Sequence, residues 1–467
     1  MPAPSLVWLR QDLRLHDQPA LEAAAREGPV VPIYILDDES PGRWAIGGAQ
    51  RWWLHHSLTA LSESLAGLGS RLILRRGRAD AELKRLAAEL GAGRVHATHH
   101  YEPWWRTIEQ RVGEELELVL HTGSVLVPPE QVRTGAGAPY KIYTPYWRAL
   151  QAQLPPAPPV AAPGRLEAPP EWPDSDDLQQ WNLLPARPNW ARGFGEEWQP
   201  GEGAALERLA AFADQAEHYG DRRDRPSLEG TSRFSPHLHF GELSPRSVWH
   251  ALPGETGEKF RKELAWRDFS HNVMLTQPAI GEKAGRPGFE RFPWRSGGAA
   301  EADFQAWSQG RTGYPIVDAG LRQLWATGWM HNRVRMIAAS FLVKHLLIDW
   351  RRGTEWFWDT LVDADYGNNG QNWQWIAGSG VDSQPFNRIM APLVQSRKFD
   401  AADYIRRWVP ELAGLNDDLI HEPGDSRPAG YPEPMVGHRE ARERALAALR
   451  AFAATRGQEA DAPGDHA

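Results

Sequence analysis

The 467-residue chain contains no cysteine. That absence removes disulfide frameworks, cysteine-ligated zinc or iron–sulfur centres and thiol nucleophiles together. No apolar run reaches the ~18 residues of a membrane span, and residues 1–30 lack the basic start and unbroken apolar core of a secretory leader. A basic surplus is also missing: 52 Lys+Arg stand against 60 Asp+Glu, a net charge of −8. Alone, this balance speaks mildly against nucleic acid as a partner. With 24% charged and 41% apolar residues, the expectation is a cytoplasmic globular protein of two or three domains. No internal repeat is visible.

What is present falls into two halves. In residues 1–127 short apolar runs alternate with amphipathic segments. Strands are expected at Leu6–Leu9, Val30–Leu36, Arg71–Leu74, Val95–Thr98 and Leu116–Leu120. Helices are expected at Gly48–Leu68, Ala79–Leu90 and Pro103–Glu115, and Asp17-Gln-Pro19 reads as the start of another. Alternating strands and helices predict an α/β domain with a parallel sheet covered on both faces. It is Rossmann-like without the dinucleotide fingerprint, because Arg10-Gln-Asp-Leu-Arg14 stands where a Gly-rich phosphate loop would follow the first strand. Residues 151–200 hold 11 prolines, a composition suited to an extended connector, placed at 128–200. From 201 to 454 long helical patterns take over and most of the 23 tryptophans appear, predicting an all-α domain that ends in the helix Gly437–Ala454. Residues 455–467 read as a frayed tail.

Several clusters in the helical half place polar groups on one face. Glu263, Trp266 and Arg267 are spaced i, i+3, i+4, and Asn332, Arg335 and Met336 share another helix face. Asp363-Ala-Asp365 precedes an amide-rich run that includes Asn369. Gly230-Thr-Ser-Arg-Phe-Ser235 offers hydroxyls and backbone N–H groups ahead of a proline. Taken singly, these read equally well as a surface salt bridge, a solvated acidic pair and a helix cap. Trp373 and Trp375 lie two apart, so on a helix their rings point roughly 200° apart. Core filling is the default for such indoles. A chamber lined by indoles, Met, Asn and Glu is also what a flat heteroaromatic ligand or an extruded base requires.

The opening Leu6-Val-Trp-Leu-Arg-Gln-Asp-Leu-Arg-Leu-His-Asp17 closely resembles the start of the photolyase/cryptochrome family. So do Glu229-Gly-Thr-Ser-Arg-Phe-Ser235, Thr312-Gly-Tyr-Pro-Ile-Val-Asp318, Thr327-Gly-Trp-Met-His-Asn-Arg333 and Asn372-Trp-Gln-Trp375. The resemblance runs over roughly residues 5–450 in the family's order, and within the family the chain looks like the bacterial class I cyclobutane pyrimidine dimer photolyases. It implies a helical domain holding FAD folded into a U. Tyr219, Thr231, Ser232, Arg233, Phe234 and Ser235 would surround its phosphates and ribityl chain. Asp363, Ala364 and Asp365 would meet the ring and ribose region, with Arg335 paired to Asp363 and Asn369 beside flavin N5. Counting from Asp365 selects Asn369 from the doublet Asn368-Asn369.

The dimer pocket implied by the resemblance is Glu263, Trp266, Asn332, Met336 and Trp375. Trp373, Trp350 and Trp294 match an electron-transfer chain, and Arg223, Arg267, Arg333 and Arg388 are candidates for DNA phosphates. A local basic rim suffices for such binding, since counterion release is local. Residues 220–300 hold 13 Lys/Arg against 10 Asp/Glu. The implied activity is light-dependent repair: excited reduced FAD gives one electron to a flipped-out dimer, which splits and returns it. Asn332 and Met336 stand where relatives that repair (6-4) photoproducts carry a histidine pair. The alternative implied is a blue-light photoreceptor with FAD and no repair. No metal is expected, and the protein is expected to be a bacterial monomer. Trp104 and Trp105 occupy the places of a polar pair in folate-carrying relatives, which counts against a folate; the second antenna chromophore is left open as a folate, a deazaflavin, a flavin or none.

Overall fold

The computed structural model describes residues 3–252, 254–255, 257–383 and 389–460. The chain divides into two compact units. The first comprises Met1–Gly220, Ser232–Pro278 and Trp358–Asn368, and the second Asp221–Thr231, Ala279–Phe357 and Asn369–Ala467.

The first unit is built on five parallel strands, β1 (Ser5–Leu9), β2 (Val30–Leu36), β3 (Ile73–Arg76), β4 (Arg94–Thr98) and β5 (Glu117–His121), in the order β3-β2-β1-β4-β5. Between them run α1 (Pro19–Glu27), α2 (Gly48–Gly67), α3 (Ala79–Leu90) and α4 (Pro103–Gly113). Parallel strands need long crossovers, so helices cover both faces and the central strands read as continuous apolar runs. All five residues of β1 are buried. Leu6, Trp8, Val31, Ile33, Ile73 and Val95 meet Leu83 and Leu86 of α3 and Ile108 and Val112 of α4 in one core. Each such large side chain contributes about 1.5–3 kcal/mol on burial.

The sheet order reverses between β1 and β4, where ligands of open α/β sheets commonly bind. Here the chain fills that crevice itself. Arg10, directly after β1, donates to the Thr98 carbonyl, pairs with Glu109 at 2.8 Å and lies 4.0 Å over Trp8. The loop that follows is braced by side chains: Asp12 accepts from Arg10 N–H at 2.6 Å and from Gln18 at 2.8 Å. Gly241, at φ +65°, lies so close to this loop that a Cβ would meet the Gln11 carbonyl at 2.1 Å. Helix α1 is capped by Gln18 rather than Asp17, whose carboxylate is drawn to Arg246 at 2.5 and 3.1 Å.

The second unit is helical. Pro315–Thr327 ends on Gly328 in the left-handed conformation that a C-cap favours. Asn332–Ser340 is capped by His331, whose side chain accepts from Arg333 N–H at 3.2 Å. The buried Asp318 carboxylate gathers Thr312 N–H at 2.7 Å, Thr312 Oγ1 at 2.6 Å, Gly313 N–H at 3.0 Å and the Tyr431 hydroxyl at 2.5 Å. The family-like run Thr312–Asp318 is thus a scaffold tied by its own acid. The last helix is His438–Ala460.

Candidate functional site

In the first unit, the helix Glu258–Thr276 carries Glu263, Trp266 and Arg267. Trp266 is 38% exposed, and its indole lies flat on Tyr143, with centroids 3.4 Å apart and planes 7° apart. The Tyr143 hydroxyl donates to the Lys262 carbonyl at 3.0 Å, which fixes the ring beneath the indole. Burial, and secondly the Glu263 charge, push the Tyr143 phenol up, so it stays a neutral donor. Glu263 is half-buried beside this platform. Arg267 donates to the Ser124 carbonyl at 2.6 Å and lies 3.6 Å from Asp268. Burial pushes Asp268 up to about 7 although it accepts from Leu126 N–H at 2.7 Å.

The turn after Thr231, itself half-buried, is shaped by Arg233 at φ +56°. Both terminal nitrogens of Arg233 lie 3.1 Å from Glu197 Oε2, and its guanidinium stands 4.2 Å over Trp198. Ser232 Oγ accepts from Phe234 N–H at 3.3 Å, and Ser235 opens the helix Ser235–His239. Tyr219 and Phe234 are buried against Phe212 and Phe260, with centroids 5.1–5.7 Å apart. Asp363, Ala364 and Asp365 are all buried. Asp365 Oδ1 accepts from Asn368 N–H at 2.7 Å and from its side-chain amide at 2.8 Å. Burial opposes ionisation of Asp365, but His271, Arg267 and His239 outweigh it and hold the carboxyl below its usual range.

In the second unit, Asn332 is exposed while Arg335 and Met336 are half-buried. Arg335 Nε donates to the Met330 carbonyl at 2.7 Å. Arg333 pairs with Asp224 at 2.8 Å, and Arg223 Nε lies 3.9 Å from the same carboxylate. Arg388 lies outside the described residues. Asn369 Nδ2 donates to the Thr354 carbonyl at 3.0 Å. That bond fixes the amide so that Oδ1 is the acceptor it presents.

The two indoles of Trp373-Gln-Trp375 diverge because the residue between them is an anchor. Gln374 Nε2 donates to the carbonyls of Ile280 at 2.6 Å and Lys283 at 2.9 Å, while Oε1 accepts from Gly285 N–H at 2.8 Å. Trp373 is 2% exposed against Phe357 and Trp307, whereas Trp375 is 38% exposed. Gly353 makes room for Trp373, since a Cβ there would stand 2.1 Å from the indole. Trp350 is fully buried, and Trp294 packs 4.4 Å from Phe292 with its N–H buried and unpartnered. Sequence reasoning singled out neither Tyr143, Trp307 nor Gln374. The regular i, i+3 spacing signalled their neighbours, but only the fold brings these partners to them.

Residues 5–164 match the DNA photolyase family, and residues 260–451 match the FAD binding domain of DNA photolyase. A deoxyribodipyrimidine photo-lyase of Agrobacterium fabrum is 47% identical over 97% of this chain and 99% of its own length. The chain belongs to the photolyase/cryptochrome family. Its α/β and helical FAD-binding architecture is that family's. Cryptochrome-1 of Arabidopsis thaliana is 35% identical, covering 95% of this chain and 70% of that protein. The solved structure of a bacterial class III photolyase from Agrobacterium tumefaciens superposes with a TM-score of 0.91 at 46% identity, covering 97% and 98% of the two chains. The class I affiliation expected from the sequence is therefore corrected: the likeness is to class III.

The residues of each unit suit the cofactor that the family match implies. The first unit supplies a buried, ionised Asp365 and a hydroxyl-bearing turn, and the second an oriented Asn369 carbonyl for an N–H donor. Among the described residues, no helix is long and apolar enough to cross a membrane. The first unit also holds a cavity of about 660 Å³ lined by His99, Tyr101, Arg106, Gln110, Leu118 and Met274.

Proposed function

We propose that this protein repairs cyclobutane pyrimidine dimers in DNA under visible light, in the manner of class III photolyases. One observation carries the reading beyond family likeness. The two indoles assigned to the dimer, Trp266 and Trp375, are each 38% exposed, whereas the assigned relay indoles Trp350 and Trp373 are buried at 1% and 2%. Indoles recruited only to fill a core would all be inside. An exposed indole on a rigid support is what a stacking platform for an extruded base needs.

Reduced FAD, when bound, supplies the light-driven electron. The chain's own residues bind, orient and exclude water. Trp266, locked on Tyr143, offers a flat apolar face to the cyclobutane, and Glu263 beside it accepts from a pyrimidine N–H. From the second unit Trp375 supplies a further apolar face, Met336 a soft contact and Asn332 an amide for a pyrimidine edge. In the first unit Tyr219, Ser232, Arg233, Phe234, Ser235, Asp363, Ala364 and Asp365 would hold FAD; in the second, Thr231, Arg335 and Asn369 are the residues suited to it, Asn369 offering its Oδ1 as an acceptor. Arg223 and Arg333 meet DNA phosphates. Trp373, Trp350 and Trp294 would pass electrons to oxidised FAD when it is bound. The cavity lined by His99, Tyr101 and Arg106, at about 660 Å³, lies in the size range of small-molecule sites and suits a second, light-collecting chromophore.

The test is an FAD-loaded, reduced preparation incubated with an oligonucleotide carrying one thymine dimer, in light and in darkness. The expected result is loss of the dimer in light alone. Equal dimer content in both arms, with FAD bound, would contradict repair and favour the photoreceptor reading.

A further inference from the structure

Inside the first unit, three segments converge on a cluster that neither the flavin nor the DNA reading uses as a set. Glu102 precedes α4, His271 lies on the helix Glu258–Thr276, and Asp365 lies just before the helix Tyr366–Ala377. One ligand-capable atom from each lies within 4.8 Å of the other two. His271 Nδ1 is 3.0 Å from the Arg267 carbonyl oxygen. A carbonyl only accepts, so Nδ1 carries the proton and Nε2 offers its lone pair. Asp365 Oδ1 is occupied by the Asn368 amides, leaving Oδ2 at 3.8 Å from His271 Nε2. Glu102 sits at the N-cap of α4 without a side-chain capping bond. It is 3% exposed, and its Oε2 is buried with no hydrogen-bond partner.

Three acceptors thus face one another, and among the described residues no donor bridges Glu102 Oε2, His271 Nε2 and Asp365 Oδ2. A gap of 3.8 Å is too long for a hydrogen bond. It fits two ligands on one ion, since metal–ligand bonds of about 2.0–2.2 Å place neighbouring donors roughly 3–4 Å apart. The geometry points to a divalent-cation site in which Glu102, His271 Nε2 and Asp365 Oδ2 ligate a first-row transition ion such as Zn2+ or Mn2+. The mixed nitrogen and carboxylate donors favour this class over Mg2+ or Ca2+, which take oxygen ligands. An imidazole whose other N–H is tied to a backbone carbonyl is the arrangement metal-bound histidines adopt. Two carboxylates and a neutral imidazole carry two negative charges, matching a divalent ion.

The test uses Glu102 and His271, neither of which is assigned a contact with the flavin. FAD-loaded protein is produced with added Zn2+ or Mn2+, passed through metal-free buffer, and examined by elemental analysis and native mass spectrometry. About one ion per chain is expected, with more than tenfold weaker retention in Glu102→Gln and His271→Gln and unchanged flavin absorbance in both. Gln at 102 keeps the hydrogen-bond donor that a protonated acid would offer but is a poor ligand, so it separates an ion from a shared proton. No stoichiometric ion in the parent protein, or undiminished retention in Glu102→Gln, overturns the site, and a shared proton or bridging water then holds the cluster together.

Discussion

On the proposed reading, loss of Glu263 separates binding of substrate from binding of cofactor. Its carboxylate lies beside the Trp266–Tyr143 platform, and Glu263→Ala removes one charge-assisted hydrogen bond of about 1.5–3 kcal/mol. The expected outcome is roughly a tenfold or greater loss of affinity for dimer-containing DNA with FAD content unchanged, read by gel shift and flavin absorbance; loss of the flavin instead would show the residue serves the cofactor. Gly353 is a second such position, because a Cβ there would stand 2.1 Å from the Trp373 indole. Gly353→Ala should lower stability by about 1–3 kcal/mol through overpacking, seen as a lower midpoint in thermal unfolding. The local placement of several candidate side chains was readable at this scale. The i, i+3, i+4 spacing of Glu263, Trp266 and Arg267 foretold a shared face, and the two-residue spacing of Trp373 and Trp375 foretold opposed rings. Tyr143, Glu102 and His271 were not readable, since nothing local marks a loop acid or a helical imidazole as partners of residues far away in sequence.

At the scale of elements, the helix Asn332–Ser340 rests on His331 as its cap. Burial lowers the pKa of His331 to about 4, against an ordinary value near 6.5. The unfolded chain therefore binds the extra proton between pH 6.5 and 4, and this residue's contribution is present above pH 6.5 and lost as pH falls towards 4. The slope is about 1.4 kcal/mol per pH unit for one proton. His331→Asn keeps an N-cap acceptor and removes the titration, so its unfolding midpoint should fall less steeply than the parent's across that window; parallel curves would show that His331 is not buried neutral. Trp373 makes the matching claim for electron flow. Trp373→Phe should slow photoreduction of oxidised FAD at least tenfold while chemically reduced protein still repairs, and unchanged photoreduction kinetics would remove Trp373 from the relay. The strands were readable because both faces of the sheet are covered. Their ends shifted: the expected Arg71–Leu74 is observed as Ile73–Arg76, since pairing with β2 carries the ladder on through Arg75 and Arg76. Backbone pairing is indifferent to the polarity that marks a strand's end in sequence.

For the molecule as a whole, a net charge of −8 must coexist with DNA binding. Arg223 and Arg333 share Asp224, and the phosphate contact proposed for them is local and therefore salt-sensitive. The logarithm of affinity should fall by about 0.9 per phosphate neutralised for each tenfold rise in salt, and Arg333→Gln should reduce that slope by about one unit. The α/β-then-α architecture was readable from the switch in periodicity near residue 201, because parallel sheets and helical bundles impose different spacings. Class was not: the motifs pointed to class I, whereas the full-length likeness is to a class III structure. The central claim is that the exposed Trp266 and Trp375 serve the lesion and the buried Trp350 and Trp373 serve electron supply. Its most direct test is the repair yield of FAD-loaded, chemically reduced Trp266→Ala and Trp375→Ala beside the parent, under identical illumination at limiting dimer DNA. Stacking worth about 1–3 kcal/mol per base predicts a fall of roughly tenfold or more in each, with flavin absorbance intact. Repair at the parent's yield in both variants would contradict it.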